Sequence, residues 1–263
     1  MVCVLVSFKK EISGLLALLD QVRRQGKERV YQGRYRGLEV RVVCTGMGGG
    51  SLPGELLAGC TLVVSMGFCG ALRGDLAPGD LVVSREVTCV TAGQLDRLAA
   101  GTAGPAQRFP IRRVDGAEEA AALLRERLPE GPPVHLGRTV TAGRVARDRN
   151  EKERLGSYFQ ALAVDMEDFY RLQAAAARGA AAPSRGTASR YSTAERGAGP
   201  AVGIPCLCVR AVLDRVEDRV PDLRGGLREG LLLPARLAAL KRGMDRACAG
   251  ITASAAALVD HYG

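Results

Sequence analysis

The chain has 263 residues, with 37 lysines and arginines against 28 acids, a formal net charge of +9, 47% apolar residues and no tryptophan. That length suits one large α/β domain with a substantial core, and no apolar run approaches the roughly 20 residues of a bilayer-spanning helix. The positive excess invites an anionic partner, yet the arginines are scattered and no basic-aromatic motif accompanies them, which argues against a sequence-specific nucleic-acid reader.

The N-terminus, MVCVLV, lacks a preceding basic region and a small-residue cleavage site, so 3–7 is expected to be a buried strand rather than a signal peptide, and the protein cytoplasmic. Ile12, Leu15, Leu16, Leu19 and Val22 recur at helical spacing and predict an amphipathic helix over 12–24. Strand-like runs at 29–35 and 38–45 flank Arg36-Gly37, the signature of a hairpin. The continuous apolar run 61–66 predicts a central strand, and another strand at 81–90 follows the turn Pro78-Gly79-Asp80. Residues 91–113 are expected to form a mobile loop. Beyond it the pattern predicts helix 116–128, strand 134–141, helix 150–159, strand 161–166, helix 167–177 and strand 204–210. This alternation predicts an α/β fold, and a single domain over 1–263.

Two segments stand apart. Residues 178–200 are rich in Ala, Gly, Ser, Arg and Pro and nearly devoid of large apolar residues, and so predict a disordered surface insertion, with a phosphate- or nucleic-acid-binding loop as the alternative. The segment 231–242, LLLPARLAALKR, is expected to pack on the core with a basic solvent face; weak peripheral contact with an anionic membrane is its other reading.

Candidate chemistry gathers on carboxylates. Glu11, Glu167 and Asp214 each follow or close a strand-like run, where α/β sheets place reactive groups, and cleaving a glycosidic bond calls for one group to protonate the leaving group and another to activate water. The 8 cysteines contain no CxxC pair and predict reduced thiols without a metal site, and only His135 and His261 offer imidazoles, neither near a nucleophile motif. Two glycine turns, 45–51 with Met47 and 67–72 with Phe68 and Gly70, follow strands. They suit either amide-lined walls around a sugar or base, or plain tight turns; neither completes a dinucleotide fingerprint, and no cofactor is expected.

The segments SMGFCGAL at 65–72, GDLVVS at 79–84, VDME at 164–167 and VRAVLD at 209–214, in that order, resemble the nucleoside phosphorylase and nucleosidase superfamily. Within it the chain looks most like methylthioadenosine/adenosylhomocysteine nucleosidases and the hopanoid-associated members that remove adenine from adenosylhopane. The resemblance implies a central mixed β-sheet flanked by helices, a homodimer, and a purine nucleoside as substrate.

Residue by residue, it implies that Glu11 activates water, with Lys9 and Lys10 depressing its pKa, and that Arg210 helps fix that water. Met166 and Glu167 hold the ribose, and Asp214 protonates the purine at N7. A free Asp titrates near 3.9, so half-protonation near pH 7 needs roughly 3 units, about 4 kcal/mol, which burial supplies. Ser65 stands where the phosphorylases carry a phosphate-binding arginine, which favours hydrolysis. Three departures stand out: Leu213 replaces a serine beside the acid, Phe68 replaces a serine that places water, and Val145 with Ala146 replaces the aromatic that lines adenine. Phe68 suits an apolar 5′ substituent such as that of adenosylhopane. A phosphate-dependent phosphorylase and a non-catalytic nucleoside-binding protein are the rival readings. Read as bland structure, Asp214 is a helix N-cap, Glu167 a first-turn acid and Glu11 a solvated helix start.

Overall fold

A computed structural model describes residues 1–25, 29–48, 52–102, 108–180, 203–220 and 234–263, without the side chains of 179–180 and 234–240. One mixed sheet takes in β1 (Val2–Val6), β2 (Asp20–Gln25), β3 (Val30–Tyr35), β4 (Leu38–Cys44), β5 (Leu62–Ala71), β6 (Leu81–Val90), β7 (Ile111–Arg113), β8 (Val134–Ala142), β9 (Ala161–Asp165) and β10 (Cys206–Asp214). Its helices are α1 (Ser13–Leu18), α2 (Ala92–Ala100), α3 (Ala117–Arg127), α4 (Arg149–Phe159), α5 (Asp168–Ala180) and α6 (Pro234–Tyr262). The expected α/β architecture is the observed one.

The ten-residue β5 organises the sheet. Its first half pairs in parallel with β1, its full length pairs in parallel with β10, and Gly70 and Ala71 pair antiparallel with β9. Because β10 also pairs with β6, β6 with β8, and β8 with β9, these five strands close on themselves, while β1, β4, β3 and β2 extend as a wing from β5. Strands β1, β4, β5 and β10 run one way and β6, β8 and β9 the other. Because β5 and β9 pair only at their carboxyl ends, Gly70 with Val164 and Ala71 with Ala163, the end of β9 meets those of β1 and β10 although β9 runs against them.

All five residues of β1 are buried, so both its faces are covered, as a continuous Val/Leu run requires. Helix α6 packs on β10 and β5 and meets α1 and α3, burying Ala247, Ile251, Ala255 and Leu258 at helical spacing. Burying a side chain the size of Ile251 or Leu258 contributes about 1.5–3 kcal/mol.

Three expectations need correction. The helix over 12–24 stops at Leu18, and 20–25 pairs with β3 as an edge strand whose six residues are all exposed. The apolar residues Ile12, Leu15 and Leu19 do face the core, but β3's unpaired edge offers the next stretch a hydrogen-bond ladder, and Gln21 turns into it with φ 54°. The loop 91–113 contains α2, opened by a capping box in which Thr91 and Gln94 exchange hydrogen bonds, and β7, which pairs with β6. The strand expected over 204–210 continues to Asp214, so Asp214 ends a strand and caps no helix. Beyond residue 180, the insertion expected at 178–200 lies outside the described residues, as do Gly49, Gly50, Ser51 and 231–233.

Candidate active site

Where the strand ends converge lies a cavity of about 1110 Å³. Glu11, Met47, Phe68, Gly70, Val145, Met166, Glu167 and Asp214 all line it; Arg210 does not.

Glu11 follows β1 in a short 3-10 turn at 9–12 and is 2% exposed, so it is no solvated helix start. Its Oε2 accepts from the backbone N–H of Ser7 (2.7 Å) and Phe8 (2.8 Å), and Oε1 from that of Phe68 (3.3 Å). Burial raises its pKa, against the pull of those amides and of Arg210 and Arg171. The expectation that Lys9 and Lys10 depress it is thus reversed: Lys9 places its ammonium 5.4 Å from the Tyr31 ring centroid. Solvent around two exposed lysines screens their charge, whereas the carboxylate is buried.

Glu167 leads into α5. Its Oε1 accepts from the N–H of Gly48 (2.9 Å), tying it to the first glycine turn, and its Oε2 lies 3.2 Å from Nη1 of Arg210. Arg210 stands behind the wall, 1% exposed. It grips Asp168 with Nε (3.0 Å) and Nη2 (2.5 Å), and Nη2 also lies 2.7 Å from Asp165. Arg210 thereby holds together the carboxylates at the start of α5. Although burial presses the pKa of Asp168 upward, the charge of Arg210 and hydrogen bonds from Arg210 and Ser65 hold it below its usual value. Asp165 moves the other way, raised by burial and by Asp168.

Gly67 makes room for this cluster. A Cβ there would lie 2.6 Å from Nη1 of Arg210 and 3.0 Å from Oε1 of Glu11. Gly67→Ala is expected to cost about 1–3 kcal/mol through overpacking, read as a lower denaturant midpoint; an unchanged midpoint would show that the cluster has slack.

Asp214 borders the cavity opposite, beside Gly70, whose Cβ would lie 3.2 Å from Oδ2. Burial raises its pKa, opposed by the charge and hydrogen bond of Lys152. Lys152, fully buried on α4, donates to Asp214 Oδ2, to the Arg215 carbonyl (2.6 Å) and to the Asp218 carbonyl (2.9 Å).

Sequence reasoning missed Lys152, and the available signal was its place among Leu155, Gly156 and Phe159 on the apolar stripe of α4. It missed Arg171 too, 3% exposed, which donates to Ser7 Oγ (3.0 Å), Thr45 Oγ1 (2.8 Å) and Ser65 Oγ (3.0 Å) beneath Glu11. Arg171 shares a helical stripe with Asp168, Leu172 and Ala175. Among the described residues no cluster of His, Cys, Asp and Glu is arranged to hold a metal ion, and no helix is long and apolar enough to cross a membrane. All 8 cysteines are free thiols.

The model of the phosphorylase superfamily matches residues 2–184, well over half the chain. The chain belongs to that superfamily. A DeoD-type purine nucleoside phosphorylase from Colwellia psychrerythraea is 30% identical over 147 residues, 52% of this chain and 57% of that protein, so the match spans little more than half of this curated relative. Two solved superfamily folds lie nearby. The 5′-methylthioadenosine/S-adenosylhomocysteine nucleosidase of Neisseria meningitidis, in complex with methylthio-immucillin-A, shares 19% identity and a TM-score of 0.69, over 99% of this chain and 98% of that one. Futalosine hydrolase of Helicobacter pylori shares 18% identity and a TM-score of 0.64, over 97% and 96%. At such identities the likeness is one of fold.

Proposed function

We propose that the protein is a purine-nucleoside N-ribosyl hydrolase that releases adenine or another purine from a 5′-substituted nucleoside. The observation that carries this reading is the meeting of Glu11, Glu167 and Asp214, distant in sequence, on one cavity. In the reaction, the ribose sits against Met166 with its hydroxyls on Glu167, and Asp214 gives its proton to N7 of the purine. The C1′–N9 bond breaks with its electron pair passing to the base. Water, polarised by Glu11, adds to C1′ and yields its proton to Glu11. Burial raises both acids above the ordinary carboxylate range, the direction that proton transfer by a carboxyl group needs.

A panel of purine nucleosides incubated with and without phosphate, with products separated chromatographically, tests the reading. Free base and free sugar at a rate indifferent to phosphate are expected. Ribose 1-phosphate would establish the phosphorylase, a reading favoured by the DeoD-type relative, and binding without turnover the non-catalytic one.

Glu11 must be ionised to accept the proton of water. Because its pKa is raised, activity is expected to fall on acidification at a higher pH than an ordinary glutamate would dictate. Glu11→Gln should lower kcat by about 10²–10⁴-fold. A pH profile of kcat/KM flat through the ordinary glutamate range would remove Glu11 from this role.

The cavity exceeds the usual range of about 300–1,000 Å³ for small-ligand sites, and Phe8, Met47, Phe68, Val145 and Val220 give it an apolar lining. This supports a large apolar 5′ group, with adenosylhopane as the candidate, acted on in the cytoplasm by a homodimer. Equal or better turnover of methylthioadenosine would reject the apolar group, and light scattering reads the oligomer.

A further inference from the structure

Lys152 carries an inference that deepens the reading above and rests on Asp214 being the acid. Its side chain is fully buried, and three acceptors surround Nζ: Asp214 Oδ2, the Arg215 carbonyl at 2.6 Å and the Asp218 carbonyl at 2.9 Å. A neutral amine has two N–H bonds and an ammonium three, so three acceptors select the charged form. Asp214 Oδ2 is taken by Lys152, whereas Oδ1 accepts no hydrogen bond from the described residues, although the side chain borders the cavity. The two carbonyls belong to 215–218, whose Arg215, Glu217 and Asp218 also line the cavity, so one ammonium ties that wall to α4.

We propose that Lys152 is the positioning residue of the acid: its ammonium holds one oxygen of Asp214, leaves the other to face N7 of the purine, and stabilises the carboxylate that proton transfer leaves behind. The orienting contact that Leu213 cannot make is thus supplied by an ammonium from another element. Lys152 keeps all its protons throughout. Only the Asp214 O–H proton moves to N7, the proton of water goes to Glu11, and solvent returns it to Asp214. Among the described residues, Asp218, which follows β10, and Cys69 on β5 also face Asp214. Asp218 turns its own Oδ2 to the Arg215 N–H at 2.8 Å, and Lys152 is in direct contact with the acid.

The test is the pH profile of kcat/KM with methylthioadenosine. An acid that must be protonated sets the alkaline limb, and an adjacent cation lowers its pKa, so Lys152→Met should move that limb upward by about 1–3 units. Loss of aim should lower kcat on the order of 10²-fold, with little change in KM. A folded Lys152→Met with its alkaline limb unmoved overturns the proposal. Should that variant fail to fold, Lys152→Gln, a neutral donor, is read in the same way. Carbon-13 titration of the Asp214 carboxyl in Lys152→Gln gives a readout independent of turnover: an upward shift supports the role and an unshifted titration overturns it. If wild-type protein cleaves no purine nucleoside, the hydrolase reading fails, while the titration still decides the part played by Lys152.

Discussion

Asp214→Asn is expected to lower kcat for purine-nucleoside hydrolysis by about 10³-fold, within the 10²–10⁴ range for removing a general acid. The amide matches the carboxyl in shape and still accepts from Lys152, but it has no acidic proton for N7, so the base must leave as an anion. KM should change little, because the proposed reaction assigns the ribose to Met166 and Glu167, which the substitution leaves in place. Steady-state kinetics on a variant with wild-type circular dichroism decide the point. Turnover at the wild-type level would remove Asp214 from the chemistry and the proposed reaction with it.

The largest stability effect is expected at Arg210. Arg210→Met leaves Asp165, Glu167 and Asp168 buried without the guanidinium that pairs with all three. Removing one partner of a buried ion pair costs about 3–5 kcal/mol, enough to take a large share of a typical domain's stability. Arg210→Lys should recover only part of it, because an ammonium cannot span both Asp168 oxygens at once. Combining Arg210→Met with Asp168→Asn should recover more than either change predicts alone. Urea denaturation of the wild type, Arg210→Met, Arg210→Lys, Asp168→Asn and the double variant reads these differences, and Arg210→Met as stable as the wild type would show that the carboxylates are neutral without Arg210.

Much of this was legible from local pattern. The hairpin around Arg36-Gly37, strand β6 and helices α3 and α4 form within a residue or two of where periodicity predicts them, since each carries its own turn or cap. The three carboxylates were legible for a similar reason: Glu11, Glu167 and Asp214 stand at strand ends. What escaped was set by distant partners. Residues 20–25 became a strand because β3 had a free edge, which no local period reports. Helix α2 escaped although its T-x-x-Q box at 91–94 was present, because its apolar stripe is short. Lys152 occupies a core position of an otherwise apolar stripe and Arg171 one shared with Asp168, and only the folded chain shows which acceptors meet them.

The closed ring of β5, β10, β6, β8 and β9 bears on how a ligand gets in. A ring without a free edge resists splaying, since parting any two of its strands breaks hydrogen bonds on a circuit that has no slack end. Asp214 and Asp165 end two of these strands, so the ring sets the spacing between them. Any widening that admits a ligand is then left to parts of the lining outside the ring, such as Met47, Val145 and Val220.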